Sequence, residues 1–144
     1  MGSFVDGFDL EDLNVGQVAE LVRTVGAADL RIFAASTGDN NPLHLDGAYA
    51  DETPFKGRIA RGMLCASYIS AVIGTKLPGP DTTYVSQFLR FRRPVRVGDS
   101  VTRRVEIVRI ENQRGHVRLA TVCMASGKPV VEGQAAIMVP RRGA

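Results

Sequence analysis

The hydrophobic and polar positions of this chain follow a helical spacing in its first half and alternate in its second half. Apolar residues share one face of a predicted helix over 27–37, and Gly38 is a natural end for it. After Pro80 the apolar residues recur at every second position, as they do in half-buried strands. A change of parity at Val108 predicts a bulge. The predicted strands cover residues 18–25, 83–92, 101–110, 117–125 and 131–139.

The segment GMLCASYISAVIGT, residues 62–75, carries no charge and has apolar residues on every side of a helical period. A helix that is apolar all round is buried. It spans about 20 Å, which is shorter than the roughly 30 Å hydrocarbon core of a membrane. Proline and glycine follow at residues 78–80 and end it. The segment therefore predicts the central helix of a globular core.

One buried helix and one antiparallel sheet restrict the possible architecture. The helix must hide its whole surface, and the sheet has one apolar face to offer, so a sheet curled around the helix satisfies both. We therefore predict a single α+β domain over residues 1–144, in which a meander of three or four strands wraps one long helix. A small sheet leaves open edges, which predicts a homodimer.

Composition agrees with a single domain, since the 144 residues are 44% apolar and 23% charged. Cys65 and Cys123 lie in apolar runs, which predicts buried free thiols and a reducing, cytoplasmic setting. Neither a CxxC motif nor a Cys/His cluster occurs, so a structural zinc site is not expected.

Residues 1–6 lack the basic and apolar regions of a signal peptide, so none is expected. An irregular lead-in is predicted over 4–12.

The formal charge of +3 comes from scattered arginines, densest at Arg90, Arg92, Arg93 and Arg96. On a strand Arg90 and Arg92 share one face. Two interpretations stay open for this cluster, a solvated sheet face and an anion site for a phosphorylated ligand. Nucleic acid is not expected as a partner, because tryptophan is absent and no aromatic ladder accompanies the charges.

Asp39 and His44 are separated by Asn-Asn-Pro-Leu, a turn-forming segment in which the two side chains can converge. Histidine carries protons at neutral pH, because its unperturbed pKa is about 6.5. The spacing allows a catalytic carboxylate–imidazole pair. It equally allows a structural loop in which Asp39 caps backbone amides and His44 packs against a neighbour.

Gly62 begins the central helix, where backbone amides carry partial positive charge. A glycine there lets a ligand approach, so these amides can stabilise an oxyanion formed from a thioester or another carbonyl. A glycine that merely permits tight packing is the alternative. GxSxG, GxGxxG and Walker motifs are all missing from the sequence, so neither a hydrolase triad nor a nucleotide cofactor is indicated.

The run FAASTGDNNPLHLDGAYADETPFKGRIARGMLCASYISAVIG, residues 33–74, resembles the (R)-specific enoyl-CoA hydratases of the MaoC-like dehydratase family. The continuation LPGPDTTYVSQFLRFRRPVRVGD is similar to that family as well. The resemblance rests on D-x-N-P-L-H-x-D before a G-M-L helix. It implies the hot-dog fold, in which an antiparallel sheet wraps a long helix. It also implies reversible syn addition of water to trans-2-enoyl-CoA, giving (R)-3-hydroxyacyl-CoA without a metal or redox cofactor.

The resemblance implies roles for matched residues. Asp39 and His44 fall on the family's catalytic carboxylate and histidine, the amide of Gly62 on its oxyanion site, and Ser70 on a serine that lines its pocket. With CoA as the thiol, we expect the arginine cluster, including Arg90 and Arg92, to help hold the nucleotide phosphates. One position departs from the family, which usually has histidine immediately before the glycine. This chain has Arg61 there, and the departure bears on the local hydrogen bonding.

Three alternatives to a CoA hydratase stay open. The first is a 3-hydroxyacyl-acyl-carrier-protein dehydratase of fatty acid or polyketide synthesis, which runs the same reaction in reverse. The second is a hot-dog thioesterase, and the third a non-catalytic thioester-binding module. The expected partners are an acyl-CoA or acyl-carrier-protein thioester and a second copy of the chain, with no membrane partner.

Overall fold

The computed structural model describes residues 7–143. The helices are α1 (Ala27–Thr37), α2 (Pro42–Leu45), α3 (Gly47–Asp51) and α4 (Gly62–Thr75). The strands are β1 (Val18–Thr24), β2 (Thr83–Phe91), β3 (Ser100–Glu111), β4 (His116–Ala125) and β5 (Lys128–Met138). The predicted bounds of the two main helices are confirmed. In the predicted lead-in over 4–12, Leu10–Asp12 form one 3₁₀ turn. Residues 4–6 of that lead-in, and residues 1–6, for which no signal peptide was expected, lie outside the described residues.

The five strands form one antiparallel sheet in the order β1-β3-β4-β5-β2. The three strands β3, β4 and β5 are a meander, as predicted, and the bulge in β3 lies between Ile107 and Arg109. β2 does not pair with β3, its neighbour in sequence, and instead runs along β5 at the far edge. The chain from β2 to β3 must therefore cross the end of the sheet, and residues 92–99 do so with Pro94 in their middle.

The concave face of the sheet curls around α4, which confirms the predicted hot-dog arrangement. Every second residue of β4, from Val117 to Ala125, points inward and is buried. These side chains meet Ile69, Val72 and Ile73 of α4, all of them at most 1% exposed, in one continuous core. Burial of these apolar side chains between helix and sheet stabilises the fold.

One face of α4 is exposed in the single chain, so the expectation that the helix is buried on every side is wrong. The sheet covers only the side of the helix that it curls around. The exposed positions recur at three- and four-residue spacing, which places them on a single face. They are Met63, Ser67, Ser70, Ala71, Gly74 and Thr75. Within residues 7–143, no helix is long and apolar enough to cross a membrane.

Candidate active site

A cavity of about 810 Å³ opens between the end of α1, the segment that precedes α4, and the end of β2. Its wall is mainly apolar with a few polar groups, which is the composition usual for a small-molecule site. The lining residues used below are Phe33, Asp39, His44, Phe55, Arg61, Gly62, Cys65, Phe91, Arg92 and Arg93.

Asp39 is held immediately beyond the C-terminus of α1. Gly38 adopts φ 78°, a left-handed conformation that favours glycine, and its N–H donates to the carbonyl of Ala34 at 2.9 Å. The hydroxyl of Thr37 accepts a bond from the Asp39 N–H at 3.2 Å. The chain therefore turns sharply after the helix, and this turn carries the Asp39 carboxylate to the cavity wall.

His44 lies in the short helix α2. The Asn41 side chain caps this helix by accepting from the Leu43 N–H at 3.0 Å, and Pro42 occupies its first turn. The imidazole is 8% exposed, and its Nδ1 lies 2.6 Å from the carbonyl oxygen of Ile59. A carbonyl can only accept, so Nδ1 carries the hydrogen and Nε2 of the neutral ring keeps its lone pair.

The carbonyl that orients His44 is itself fixed by a short antiparallel contact. Ile59 pairs with Arg96, and the Ala60 N–H donates to the carbonyl of Val95 at 2.7 Å. This contact ties the segment before α4 to the segment that follows β2. The imidazole is therefore held against a part of the chain that cannot easily shift.

Arg61 is buried at the N-terminus of α4, with only 6% of its side chain exposed. Its Nε donates to Oδ2 of Asp39 at 2.7 Å, and Oδ1 of Asp39 accepts from the Asn41 N–H at 3.3 Å. The Arg61 guanidinium, helped by the Asn41 amide, lowers the pKa of the Asp39 carboxyl below its usual value. Asp39 is therefore an anion over the whole neutral range.

Gly62 lies against an aromatic ring. A Cβ at this position would be 2.4 Å from Cδ1 of Phe91, so glycine is needed for the ring to approach α4. The structure thus supports the packing interpretation of this residue. Gly62 also lines the cavity, and the Arg61 side chain does not cap the helix. The first N–H groups of a helix have no partner within the helix, so the predicted oxyanion role remains compatible with this geometry.

The other predicted binding residues do not lie together. Ser70 is on the exposed face of α4 and is not part of the cavity wall. Arg90 lies on the outer face of the sheet, in a separate groove. Arg92 follows the last residue of β2 and lines the cavity, while its guanidinium forms an ion pair at 2.6 Å with Glu132, which lines the groove of Arg90. The two arginines therefore share Glu132 as a neighbour, in keeping with the predicted common face, but only Arg92 also lines the cavity.

Residues 13–132 match the family model described as MaoC like domain. The chain belongs to the MaoC-like family. It is 47% identical over 133 residues to an (R)-specific enoyl-CoA hydratase of Rhodospirillum rubrum, covering 92% of each chain. It is 41% identical over 131 residues to the enzyme of that name from Aeromonas caviae, covering 90% of this chain and 98% of that one. The unliganded R-hydratase PhaJ1 of Pseudomonas aeruginosa superimposes with a TM-score of 0.93 at 47% identity, over 96% of this chain and 89% of the other.

The MaoC-like chain also brings two thiols close together. Cys65 and Cys123 are free and buried, as predicted, and the Cys123 thiol donates to the carbonyl of Cys65 at 3.3 Å. Burial raises the pKa of Cys65 to about 11 and that of Cys123 to about 12. Although Cys65 lines the cavity, it stays protonated at neutral pH and is a poor nucleophile.

Sequence reasoning missed the partner of Asp39. Arg61 is 22 residues further along the chain and was singled out only as a departure from the family's histidine. That departure could have indicated the pair, because a large cation beside the first residue of a buried helix needs a nearby anion. The structure identifies Asp39 as that anion.

Proposed function

We propose that this MaoC-like protein is an (R)-specific enoyl-CoA hydratase, which adds water reversibly and with syn geometry to trans-2-enoyl-CoA. The observation that carries the proposal is the meeting of Asp39 and His44 in one largely apolar cavity at the N-terminus of α4. An anionic acceptor and an imidazole that can take up a proton at Nε2 are the two groups needed to hold and deprotonate a water molecule. Two relatives that are 47% and 41% identical to this chain are named (R)-specific enoyl-CoA hydratase, and these names support the same activity.

The reaction assigns one role to each group. Asp39 accepts a hydrogen bond from the water, and Nε2 of His44 removes its other proton. The water oxygen then bonds to Cβ, while the electron pair of the Cα–Cβ double bond moves toward the thioester and forms an enolate. The Gly62 amide stabilises the negative oxygen. The imidazolium returns its proton to Cα from the same face, which gives syn addition.

The cavity wall offers groups for both parts of an acyl-CoA, apolar rings for the acyl chain and arginines for the phosphates. Phe33, Phe55 and Phe91 provide an apolar wall for the acyl chain. Arg92 and Arg93 lie in the same wall and can meet the nucleotide phosphates. Arg93 Nη1 is already bonded to the carbonyl of Pro129 at 2.7 Å, so it would contribute its remaining donors. Arg90 is outside this arrangement.

The proposed active form is a homodimer in the cytoplasm. β2 is an edge strand of the sheet and carries exposed apolar side chains, among them Tyr84, Val85 and Phe88. Together with the exposed face of α4, this edge is a surface that a second copy would cover. Ser70 lies on that face, so a pocket role for it would be exercised in the dimer. A reducing compartment suits the two free thiols.

The proposal is tested by following the ultraviolet absorbance of crotonyl-CoA, which falls as the enoyl bond is hydrated. We expect hydration and an (R)-3-hydroxy product on chiral analysis. An (S) product would contradict the assignment. Release of free thiol from saturated acyl-CoA would indicate a thioesterase instead, and a strong preference for a carrier-protein thioester would indicate the dehydratase of an acyl-carrier-protein pathway.

A further inference from the structure

Arg61 is a buried cation whose only charged partner within residues 7–143 is a half-exposed carboxylate, that of Asp39. Both Nη nitrogens of Arg61 are buried without a hydrogen-bond partner in this part of the chain. The guanidinium carbon lies 5.7 Å from the centre of the Phe33 ring, which compensates only part of the lost hydration. Such a residue is a costly way to fill space, because an apolar side chain of similar size is often as stable or more stable.

The contact is made by Nε, which is the part of the fork nearest to the backbone. The planar guanidinium lies over the Phe33 ring, and its two Nη nitrogens are buried. The Nε–H can therefore point in only one direction. Oδ2 of Asp39 is fixed by that bond, and Oδ1 is fixed by the Asn41 amide. The Asp39 carboxylate is therefore held in a single orientation although it is 52% exposed.

We propose that Arg61 is a positioning residue of the catalytic pair, which holds the Asp39 carboxylate as an oriented anion that accepts a hydrogen bond from the attacking water. This inference rests on the proposed hydratase activity, whereas the contact between Arg61 and Asp39 is observed independently of any activity. Arg61 itself touches neither the water nor the acyl group in this account. It acts through Asp39, and Nε2 of His44 remains the group that moves the proton.

The charged surroundings of Asp39 support this role. Arg61 is the main cause of the low pKa of Asp39, followed by the Asn41 amide, and His44 adds a smaller effect in the same direction. The other ionisable residues in the cavity wall are Cys65, Arg92 and Arg93. Loss of the Arg61 charge should therefore raise the pKa of Asp39, and a carboxyl that gains a proton can no longer serve as the anionic acceptor.

The test compares Arg61→Met, which removes the cation, with Arg61→Lys, which keeps the charge but replaces the planar fork by a flexible ammonium. Turnover of crotonyl-CoA is measured from pH 4 to 9, together with KM. The control is Arg23→Met, which breaks an arginine–aspartate pair of similar length, 2.5 Å, outside the cavity. The pKa of Asp39 is followed separately by carbon NMR of its carboxyl, with Asp39→Asn used to assign the signal.

For Arg61→Met we expect kcat to fall about 100-fold with little change in KM, since a misplaced catalytic group has an effect of that order. We expect the Asp39 titration followed by NMR to move upward, because the Arg61 cation that lowers the pKa of this carboxyl is gone. Arg61→Lys should lose turnover while the Asp39 titration moves less. Arg23→Met should leave turnover and the Asp39 titration in place.

A folded Arg61→Met variant with normal turnover, or with an unmoved Asp39 titration, would overturn the proposal. Arg61→Gln retains a donor and most of the volume and replaces the methionine variant if that one does not fold. If neither folds at neutral pH, Arg61 is a structural residue and the proposal is wrong. A wild-type chain without hydratase activity would refute the proposed function alone, because the NMR titration still reports whether Arg61 controls Asp39.

Discussion

The two ends of α1 carry the same kind of ion pair, and the two pairs are built in opposite ways. At the N-terminal end Arg23 bonds Asp29 at 2.5 Å, and at the C-terminal end Arg61 bonds Asp39 at 2.7 Å. In the first pair the carboxylate is the covered partner, with 12% exposure against 48% for the arginine. In the second the arginine is covered, with 6% exposure against 52% for the carboxylate.

Each aspartate divides its oxygens in the same way between an arginine and a backbone amide. Asp29 accepts from the Gly26 N–H at 2.9 Å, which completes the start of α1, and Asp39 accepts from the Asn41 N–H at 3.3 Å. The arginine lowers the pKa of the carboxyl in both cases. The two pairs differ in which partner is exposed, the arginine in the first pair and the carboxylate in the second. Burying the cation leaves an ionised carboxylate available to a ligand, whereas burying the carboxylate commits it to the helix.

The largest expected effect comes from removing the charge of the exposed carboxylate or the imidazole beside it. Asp39→Asn and His44→Gln should each lower turnover of crotonyl-CoA by about 100- to 10,000-fold, the usual contribution of a positioned acid–base group. Affinity for the thioester should largely persist, because the apolar wall and the Gly62 amide are untouched. Urea unfolding identifies the variants that remain folded. Folded variants that hydrate at the wild-type rate would remove the pair from the mechanism.

The next effect concerns the glycine beside each ion pair. At Gly62 an added methyl group would occupy the position of the Phe91 ring, whereas at Gly26 the nearest atom, Oδ2 of Asp29, is 3.8 Å away. Gly62→Ala should therefore push the ring into the cavity and lower turnover by about 10- to 100-fold, while the matched variant Gly26→Ala keeps activity. Removing the ring with Phe91→Ala should restore part of the turnover of Gly62→Ala. Equal activities for the two alanine variants would show that the cavity has more room than the geometry indicates.

The contrast between the two pairs was only partly predictable. Local signals were sufficient for α1, which ends at Gly38, and for the turn that presents Asp39 and His44, since these depend on residues close in sequence. The hot-dog arrangement followed from one apolar helix and several alternating strands. The partner of Asp39 did not follow, because position 61 meets position 39 only when α4 docks in the sheet.

Two further differences have the same non-local origin. The exposed face of α4 depends on how far the sheet extends around the helix, and the apolar sequence of the segment does not contain that information. The position of β2 beside β5 depends on a pairing between residues about fifty positions apart. Periodicity predicts which side of a strand faces the core, but it does not predict which strand lies beside it.

A smaller effect should come from the structural pair. Asp29→Asn should lower the free energy of unfolding by about 1 kcal/mol, because it weakens bonds to Arg23 and to the Gly26 amide, and should leave turnover unchanged. The pKa of Asp29 is depressed in the folded chain, so its contribution is present above about pH 4, the unfolded value, and is lost as pH falls through the lower folded value. Urea unfolding at pH 7 and pH 3 should therefore show a larger difference between wild type and variant at pH 7. A difference that grew on acidification would contradict this assignment.

The smallest expected effect belongs to a third arginine–carboxylate pair, Arg92 with Glu132, in which both partners are largely exposed at 45% and 35%. An exposed charge contact contributes about 0.2 to 1 kcal/mol, so Arg92→Ala should raise KM for crotonyl-CoA by about 1.4- to fivefold with kcat unchanged. The effect should shrink at high salt, because exposed charges are screened. Arg90→Ala is the matched comparison, since Arg90 is on the same strand end but lines the separate groove and not the cavity. If the two variants raise KM equally, or if neither responds to salt, the cavity arginine does not contact the CoA phosphates and the arginine cluster is a solvated surface.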